Sequence, residues 1–156
     1  MEKRPPLWKC PSCGHRFVTR NIWHSCARYS LGAHFRGKDP ILRKIFDRFR
    51  TAVRNAGPAT VYAQKTRIVF LTRVRFAGAI VHTHWLEGTL WLTRQARHPR
   101  LYRIETLGPR VHVHHFRLTD PREVDRGLAT LAREAYLVGR QDHLRRERDE
   151  DPLLRD

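Results

Sequence analysis

Long apolar runs and cysteine are both scarce in this sequence of 156 residues. No apolar run approaches the roughly 20 residues needed to span a bilayer. The first ten residues, MEKRPPLWKC, lack the apolar region of a signal peptide. We therefore expect a cytoplasmic protein that does not enter the membrane. The three cysteines cannot pair evenly in disulfides within one chain, and reduced thiols stay available for a metal ion.

Acidic side chains are also scarce, and the shortage is confined to one part of the chain. Residues 58–118 carry ten basic and two acidic side chains, whereas residues 119–156 carry eight and ten. The net charge of +16 and the isoelectric point near 11.2 indicate an anionic partner. Arginine, whose planar guanidinium pairs phosphate through two hydrogen bonds, accounts for 26 of the 31 basic residues. Nucleic acid, either DNA or RNA, is the expected partner, and an acidic protein is the alternative.

The segment CPSCGHRFVTRNIWHSC has the spacing of a metal site. Cys10 and Cys13 form a C-x-x-C pair, and His24 and Cys26 follow after ten intervening residues. Three thiolates and one imidazole form a complete tetrahedral set, which suits a structural Zn²⁺ ion and leaves no open position for catalysis. His15 competes with His24 as the fourth ligand. Iron is the alternative metal.

Two helices are predicted downstream of this segment. The dipeptide Asp39-Pro40 is typical of a helix start, and the apolar residues of Ile41–Val53 recur at helical spacing. Asp120 and Glu123 form a capping box that predicts the start of the last helix.

Between the helices, short runs of β-branched and aromatic residues predict strands. The predicted strands are Thr60–Ala63, Arg67–Thr72, Arg75–His82, Leu86–Thr93, Tyr102–Leu107 and Val111–Leu118. Their short separations favour antiparallel pairing of neighbours as a meander, with Arg94–Leu101 as one longer loop. The predicted fold class is α+β, with a mainly antiparallel sheet and two main helices. We expect a zinc-binding module at residues 1–30, the α+β domain at 31–144 and a charged, disordered tail at 145–156.

A set of short motifs gives the chain a family resemblance. The motifs are HFRGKDP (34–40), QKTRIVF (64–70), RFAG (75–78), HHFRLTDPREVD (114–125) and EAY (134–136). With these motifs the chain resembles bacterial proteins of domain-of-unknown-function family 5655, some of which have a similar Cys-rich N-terminal extension. The resemblance covers roughly residues 30–143 and implies a compact α+β domain. It implies no known activity, so it supplies no catalytic residue.

A basic stripe with interleaved aromatic residues is predicted on the sheet. Arg67, Arg73 and Arg75 share parity and, without a bulge, project near the same face. Aromatic residues among them can stack on exposed bases, namely Tyr62, Trp85, Trp91 and Tyr102. The residues expected to bind nucleic acid are Lys9, Arg16, Arg20, Arg28, Lys65, Arg67, Arg73, Arg75, Arg103 and Arg117. The alternative is that the aromatic side chains belong to the core and the arginines solvate an open surface.

Histidines on the last strand favour an alternative, enzymatic function. His112 and His114 would project from one face, where they suit a proton relay, a metal ion or a phosphate contact. Glu87 and Glu105 are the only acidic residues in 58–118, which leaves little for general acid-base catalysis. No phosphate-binding glycine loop, nucleophile elbow or H-E-x-x-H helix is present. Non-catalytic nucleic-acid binding is therefore favoured over an enzyme acting on nucleotide or nucleic-acid phosphate, and over an adaptor for an acidic protein.

Overall fold

The computed structural model describes residues 5–22, 24, 28–142 and 144. The described part contains two α-helices, a six-stranded antiparallel sheet and a two-stranded sheet that precedes them. This confirms the predicted α+β class. The strands are β1 (Trp8–Lys9), β2 (Arg16–Phe17), β3 (Thr60–Ala63), β4 (Ile68–Leu71), β5 (Arg75–Val81), β6 (Leu86–Leu92), β7 (Leu101–Gly108) and β8 (Val111–Leu118). The helices are α1 (Ile41–Arg54) and α2 (Arg126–Gly139). The predicted tail at 145–156 lies outside the described residues.

Helix α1 forms where the sequence places a helix start and an apolar stripe. The Asp39 carboxylate accepts a hydrogen bond from the backbone N–H of Ile41 at 2.9 Å, which satisfies one amide of the first turn. The buried side of the helix has no exposed surface at Leu42, Ile45, Phe46, Phe49 and Val53. A Cβ atom at Gly88 of β6 would lie 3.1 Å from the Phe49 ring. The glycine therefore allows α1 to approach the sheet closely.

The order of the large sheet is β3-β4-β5-β6-β8-β7. All six strands begin and end within one residue of their predicted limits. The predicted meander is correct from β3 to β6 and wrong for β7, because β8 lies between β6 and β7. Residues 93–100 are long enough to carry the chain past one strand position. The backbone N–H of Ala96 donates to His114 Nε2 at 2.9 Å, which attaches this loop to β8.

Helix α2 begins later than the sequence predicts. The capping box of Asp120 and Glu123 is present, but it caps the single 3-10 turn Pro121–Glu123. Val124 is buried with φ −80° and ψ 76°, a conformation that ends this turn. Asp125 then caps α2, with its carboxylate accepting from the Leu128 N–H at 2.8 Å. No helix in the described ranges is long and apolar enough to cross a membrane.

The two faces of the sheet have different surroundings. On β6, Leu86, Gly88 and Leu90 point toward α1 and α2, and the alternate residues point to the opposite face, called here the open face. The core between sheet and helices includes Ile68, Phe70, Phe76, Leu90, Phe116, Leu118 and Leu128. Glu87, Thr89 and His115 on the open face are each less than 9% exposed, although α1 and α2 both lie on the other side. The centre of the open face is therefore covered without either helix packing on it.

Candidate functional site

The described part of residues 1–30, called here the N-terminal module, is built on a hairpin. Strands β1 and β2 pair antiparallel, and the turn between them carries Cys10 and Cys13. Gly14 has φ +77°, a conformation that L side chains rarely adopt, and its N–H donates to the Cys10 carbonyl at 2.8 Å. The Cys10 N–H donates to the His15 carbonyl at 2.8 Å and closes the turn. The turn brings two buried thiols to one side of the hairpin.

A third ligand side chain lies beside these thiols. The ligand atoms of Cys10, Cys13 and His24 all lie within 4.8 Å of one another, and His24 Nε2 is 3.3 Å from Cys13 Sγ. The Nδ1–H of His24 donates to the Ile22 carbonyl at 2.8 Å. This hydrogen bond leaves the lone pair of Nε2 directed at the thiols, as in metal-ligating histidines whose other nitrogen is held by a carbonyl. The three side chains can bind a metal ion.

The two remaining ligand candidates differ in their positions. Cys26, predicted as the fourth ligand, lies outside the described residues. His15 is directed away from the cluster, because its ring packs on Tyr62 of β3 with centroids 4.2 Å apart. This contact places the N-terminal module beside the β3 edge of the large sheet. Tyr62 pairs with Val69, which pairs with Gly78, so it belongs to the same row as the open-face residue Thr89.

The basic residues predicted in the module are not equivalent. Lys9, Arg16 and Arg20 are exposed. Arg28 Nη2 donates to the Cys13 carbonyl at 3.2 Å, so this guanidinium braces the metal-binding turn. The module therefore offers three exposed cations and one that also has a structural contact.

Four of the predicted arginines lie on the open face: Arg67, Arg75 and Arg103 line one cavity, and Arg117 pairs with Glu87 on the neighbouring strand. None of the four forms an ion pair with a carboxylate in the part of the chain that the structure describes. The Arg75 guanidinium lies 5.0 Å from the centre of the Trp91 ring, and burial together with repulsion by Arg67 lowers the pKa of Arg75. Two close, unpaired cations favour an anion as ligand.

Two predicted residues do not join this group. Arg73 and Arg75 do not share a face, because the register shifts between Phe70 and Leu71 and a tight turn separates β4 from β5. Arg73 instead donates to the Gln141 side chain at 3.1 Å and to the Pro5 carbonyl at 3.1 Å. The prediction of a shared face was conditional on the absence of a bulge, and the bulge makes it wrong. Lys65 lies at the turn between β3 and β4 and is exposed.

The aromatic residues predicted to stack on bases lie outside the core between sheet and helices. The Arg117 guanidinium lies 4.7 Å from the centre of the Trp85 ring, and the Tyr102 ring meets Trp85 edge-on with centroids 5.7 Å apart. Tyr102 is 48% exposed. Trp91 lines the cavity described below. Aromatic rings and guanidinium groups thus alternate on one surface.

A buried carboxylate organises the centre of the open face. Glu87 Oε1 accepts hydrogen bonds from the Tyr102 hydroxyl at 2.9 Å and from His82 Nε2 at 3.1 Å. Its Oε2 accepts from His115 Nδ1 at 3.0 Å. Burial raises the pKa of Glu87, but the hydrogen bonds from His115, His82 and Tyr102 outweigh it and leave the pKa lowered. Burial and the bond to Glu87 raise the pKa of Tyr102 to about 12. At neutral pH this is an ionised carboxylate held by three donors.

His115 also lines a cavity of about 440 Å³, and its other ring nitrogen has two charged neighbours. Arg103 Nη2 donates to His115 Nε2 at 3.3 Å, and Glu105 Oε1 lies 3.6 Å from the same nitrogen. The cavity extends from Arg67 near β4 to Leu107 on β7. Its lining therefore combines the guanidinium groups of Arg67, Arg75 and Arg103 with the imidazole of His115 and the ring of Trp91.

The histidines predicted as the alternative site lie on the helix side of the sheet. His112 and His114 share a face, as the strand pattern predicts, but it is the covered face. His114 Nδ1 donates to the His112 carbonyl at 3.0 Å and Nε2 accepts from Ala96, so both ring nitrogens have protein partners. Burial lowers the pKa of His114. His112 Nδ1 lies 2.9 Å from the Thr106 hydroxyl.

Glu87, His115 and Tyr102 form a cluster that the sequence analysis did not assemble. The signal was present in part, since Glu87 and Glu105 are the only acidic residues in 58–118 and both lie within 3.6 Å of His115. Glu87 pairs with Arg117 and Thr89 pairs with His115, so Glu87 and His115 are diagonal neighbours on one face, which follows only when β6 and β8 are known to pair. The predicted meander had β7, and not β8, beside β6.

The fold and site define a class, a basic α+β domain with one sheet face open to a cavity and an N-terminal Cys/His module. The family model described as Domain of unknown function (DUF5655) matches residues 31–139. The chain therefore belongs to this family. No curated protein and no solved structure is significantly similar to the chain.

Proposed function

We propose that this protein is a zinc-stabilised, strongly basic protein that binds single-stranded nucleic acid on its open face. The observation that carries the proposal is the set of four guanidinium groups on that face without carboxylate partners among the described residues, namely Arg67, Arg75, Arg103 and Arg117. Arg75, Arg103 and Arg117 are exposed and Arg67 is half-buried, so a phosphate group can reach these guanidinium groups and form charge-assisted hydrogen bonds with them.

The shape and chemistry of the open face favour a single strand over a duplex. A cavity of about 440 Å³ is of the size that accommodates a small ligand, such as one nucleotide unit. Trp91 and Trp85 each lie beneath a guanidinium, so an unpaired base can stack on either an aromatic ring or an arginine plane. Bases held in a duplex do not present their flat faces for such stacking.

The N-terminal module extends this surface. His15 packs on Tyr62 at the β3 edge, and the neighbouring groove of about 500 Å³ is lined by Arg28, Arg54 and Tyr29. Basic and aromatic side chains therefore continue from the open face to the module. A single strand of nucleic acid that runs from the open face across β3 next reaches the exposed cations of the hairpin, Lys9, Arg16 and Arg20.

Zinc is the metal that best fits the module. Two thiolates and one imidazole are soft and borderline ligands, and Cys26 supplies a third thiolate in the proposal. Metal analysis of freshly purified protein should find about one equivalent of zinc, and Cys10→Ser should lower the content strongly. Less than half an equivalent of any metal in the wild type, or iron in place of zinc, contradicts the proposal.

The nucleic-acid proposal is tested by the binding of labelled single- and double-stranded DNA and RNA across a salt series. The variant Arg67→Ala/Arg75→Ala should weaken single-strand binding and reduce the slope of log affinity against log salt by about 1.4, at about 0.7 per lost phosphate contact. The matched control is Arg126→Ala/Arg133→Ala, which removes the same charge from exposed positions on α2.

If the two double variants weakened single-strand binding equally, the open face would not be the binding site. Failure of the wild type to bind any of the four nucleic acids at low salt would overturn the proposal altogether. A preference for the duplexes would contradict the stacking mode.

A further inference from the structure

The centre of the open face contains a buried carboxylate-imidazole pair. Glu87 Oε2 is 3.0 Å from His115 Nδ1, and both residues are more than nine-tenths buried. A carboxylate at this distance requires the proton on Nδ1. Arg103 donates to Nε2 at 3.3 Å, which requires a lone pair on that nitrogen. With Nδ1–H donated to Glu87, Nε2 is the ring nitrogen that remains for a ligand, and Arg103 and Glu105 lie beside it; the nitrogen can accept a proton from a ligand when Arg103 turns from it to a phosphate group.

The groups around this base are suited to a phosphate ester. Arg103 lies beside Nε2, and Arg67 and Arg75 line the same cavity. Guanidinium groups stabilise the charge that develops on the oxygens of a phosphate during displacement. A general base and unpaired cations thus meet in one cavity.

The cavity has few carboxylates for a pair of catalytic Mg²⁺ ions. Glu87 uses both oxygens to accept hydrogen bonds, which leaves Glu105 as the one further carboxylate among the described lining residues. Mg²⁺ is held by carboxylates and phosphates, often as a pair of ions in phosphodiester cleavage. A general base without a metal ion acts most directly on a nucleophile that the substrate itself carries beside the phosphate. RNA carries one, its ribose 2′-hydroxyl, and DNA does not.

We infer that the open face is a ribonuclease site in which His115 is the catalytic base and Glu87 is the positioning residue that orients it. This inference rests on the proposed single-strand binding. His115 Nε2 takes the proton of a ribose 2′-hydroxyl, the 2′ oxygen forms a bond to phosphorus, and the bond from phosphorus to the next 5′ oxygen breaks. The departing oxygen takes one proton from water, and the imidazolium returns one proton to water. The products are a 2′,3′-cyclic phosphate and a 5′-hydroxyl.

The test uses the full-length protein and a labelled DNA oligonucleotide that contains one ribonucleotide, in buffer without added divalent cations. The wild type should cleave at that residue alone, leave the all-DNA oligonucleotide intact, and produce a 2′,3′-cyclic phosphate that mass spectrometry identifies. His115→Ala and His115→Gln should each lower the rate roughly 100- to 10,000-fold. His84→Ala, an exposed histidine purified in the same way, should cleave at the wild-type rate and so controls for contaminating ribonuclease.

Glu87→Gln separates positioning from folding. It should lower kcat by tenfold or more and leave KM for the chimeric strand and Kd for the all-DNA strand within about twofold. The all-DNA Kd also reports whether the His115 variants are folded, because that complex needs the same face and no chemistry. An oligonucleotide that the wild type binds but leaves intact, or a His115→Gln variant that binds DNA normally and cleaves at the wild-type rate, overturns the ribonuclease inference while nucleic-acid binding stands. Failure to bind either strand overturns both.

Discussion

His115 Nδ1 donates to Glu87 Oε2 across the β8-β6 pair at 3.0 Å. Two further donors, Tyr102 and His82, hold the other carboxylate oxygen. A carboxylate buried with three donors is stable as the anion, and each donor is in turn held in place by it. The centre of the open face therefore owes its order to one side chain, Glu87.

Glu87→Gln should lower the free energy of unfolding by about 1–3 kcal/mol at pH 7, because an amide cannot accept all three hydrogen bonds. The folded-state pKa of Glu87 is lowered relative to the unfolded value of about 4.3. Its contribution is therefore complete above that value and is lost as the pH falls through the folded-state pKa. Urea unfolding of the wild type and of Glu87→Gln from pH 7 to pH 3 should show that the difference between their free energies of unfolding decreases. A difference in free energy of unfolding that stays constant over this range would contradict the assignment of a negative charge to Glu87 in the folded protein.

His114→Ala should destabilise the fold and leave nucleic-acid binding unchanged. The substitution leaves the buried Ala96 N–H without its acceptor, at a cost of about 1–3 kcal/mol, and adds a cavity beside Phe116. Urea unfolding measures the loss, and the Kd for a single strand serves as the second readout. A folded variant with greatly weakened binding would restore the alternative site at His112 and His114.

Asp125→Ala should cost about 1 kcal/mol of stability, because Asp125 caps α2 and also accepts from His98 Nε2 at 2.9 Å. Asp125→Asn, which retains a capping oxygen, should recover most of the loss. Urea unfolding compares these variants with Asp120→Ala, which removes the cap of a short 3-10 turn and an exposed ion pair with Arg122. A larger effect at Asp120 than at Asp125 would show that the first cap controls the helix.

Cys26→Ser should lower zinc content as strongly as Cys10→Ser does, and His15→Ala should leave it unchanged. The reason is that His15 packs on Tyr62, whereas His24 Nε2 lies beside the thiols. Zinc content after dialysis and the thermal midpoint with and without chelator measure the effect. Loss of zinc in His15→Ala together with full zinc content in Cys26→Ser would show that His15, and not Cys26, is the fourth ligand.

Much of the local structure is readable from the sequence because it depends on short-range patterns. The apolar stripe of α1 and the six strand segments follow from periodicity and from turn residues. Caps are less certain guides, since Asp120 and Asp125 both accept hydrogen bonds from backbone amides. The buried Val124 between them decides which cap begins the α-helix, and burial is a property of the whole fold.

The sequence by itself determined the metal-binding cluster, the excess of positive charge and the α+β class, because each depends on composition or on spacing of a few residues. Only the tertiary structure decided which charges act together. The placement of β8 beside β6 joins His115 to Glu87, and the bulge at Phe70 and Leu71 separates Arg73 from Arg75. Strand order and bulges arise from packing between distant segments, and a single residue of register moves a side chain to the other face.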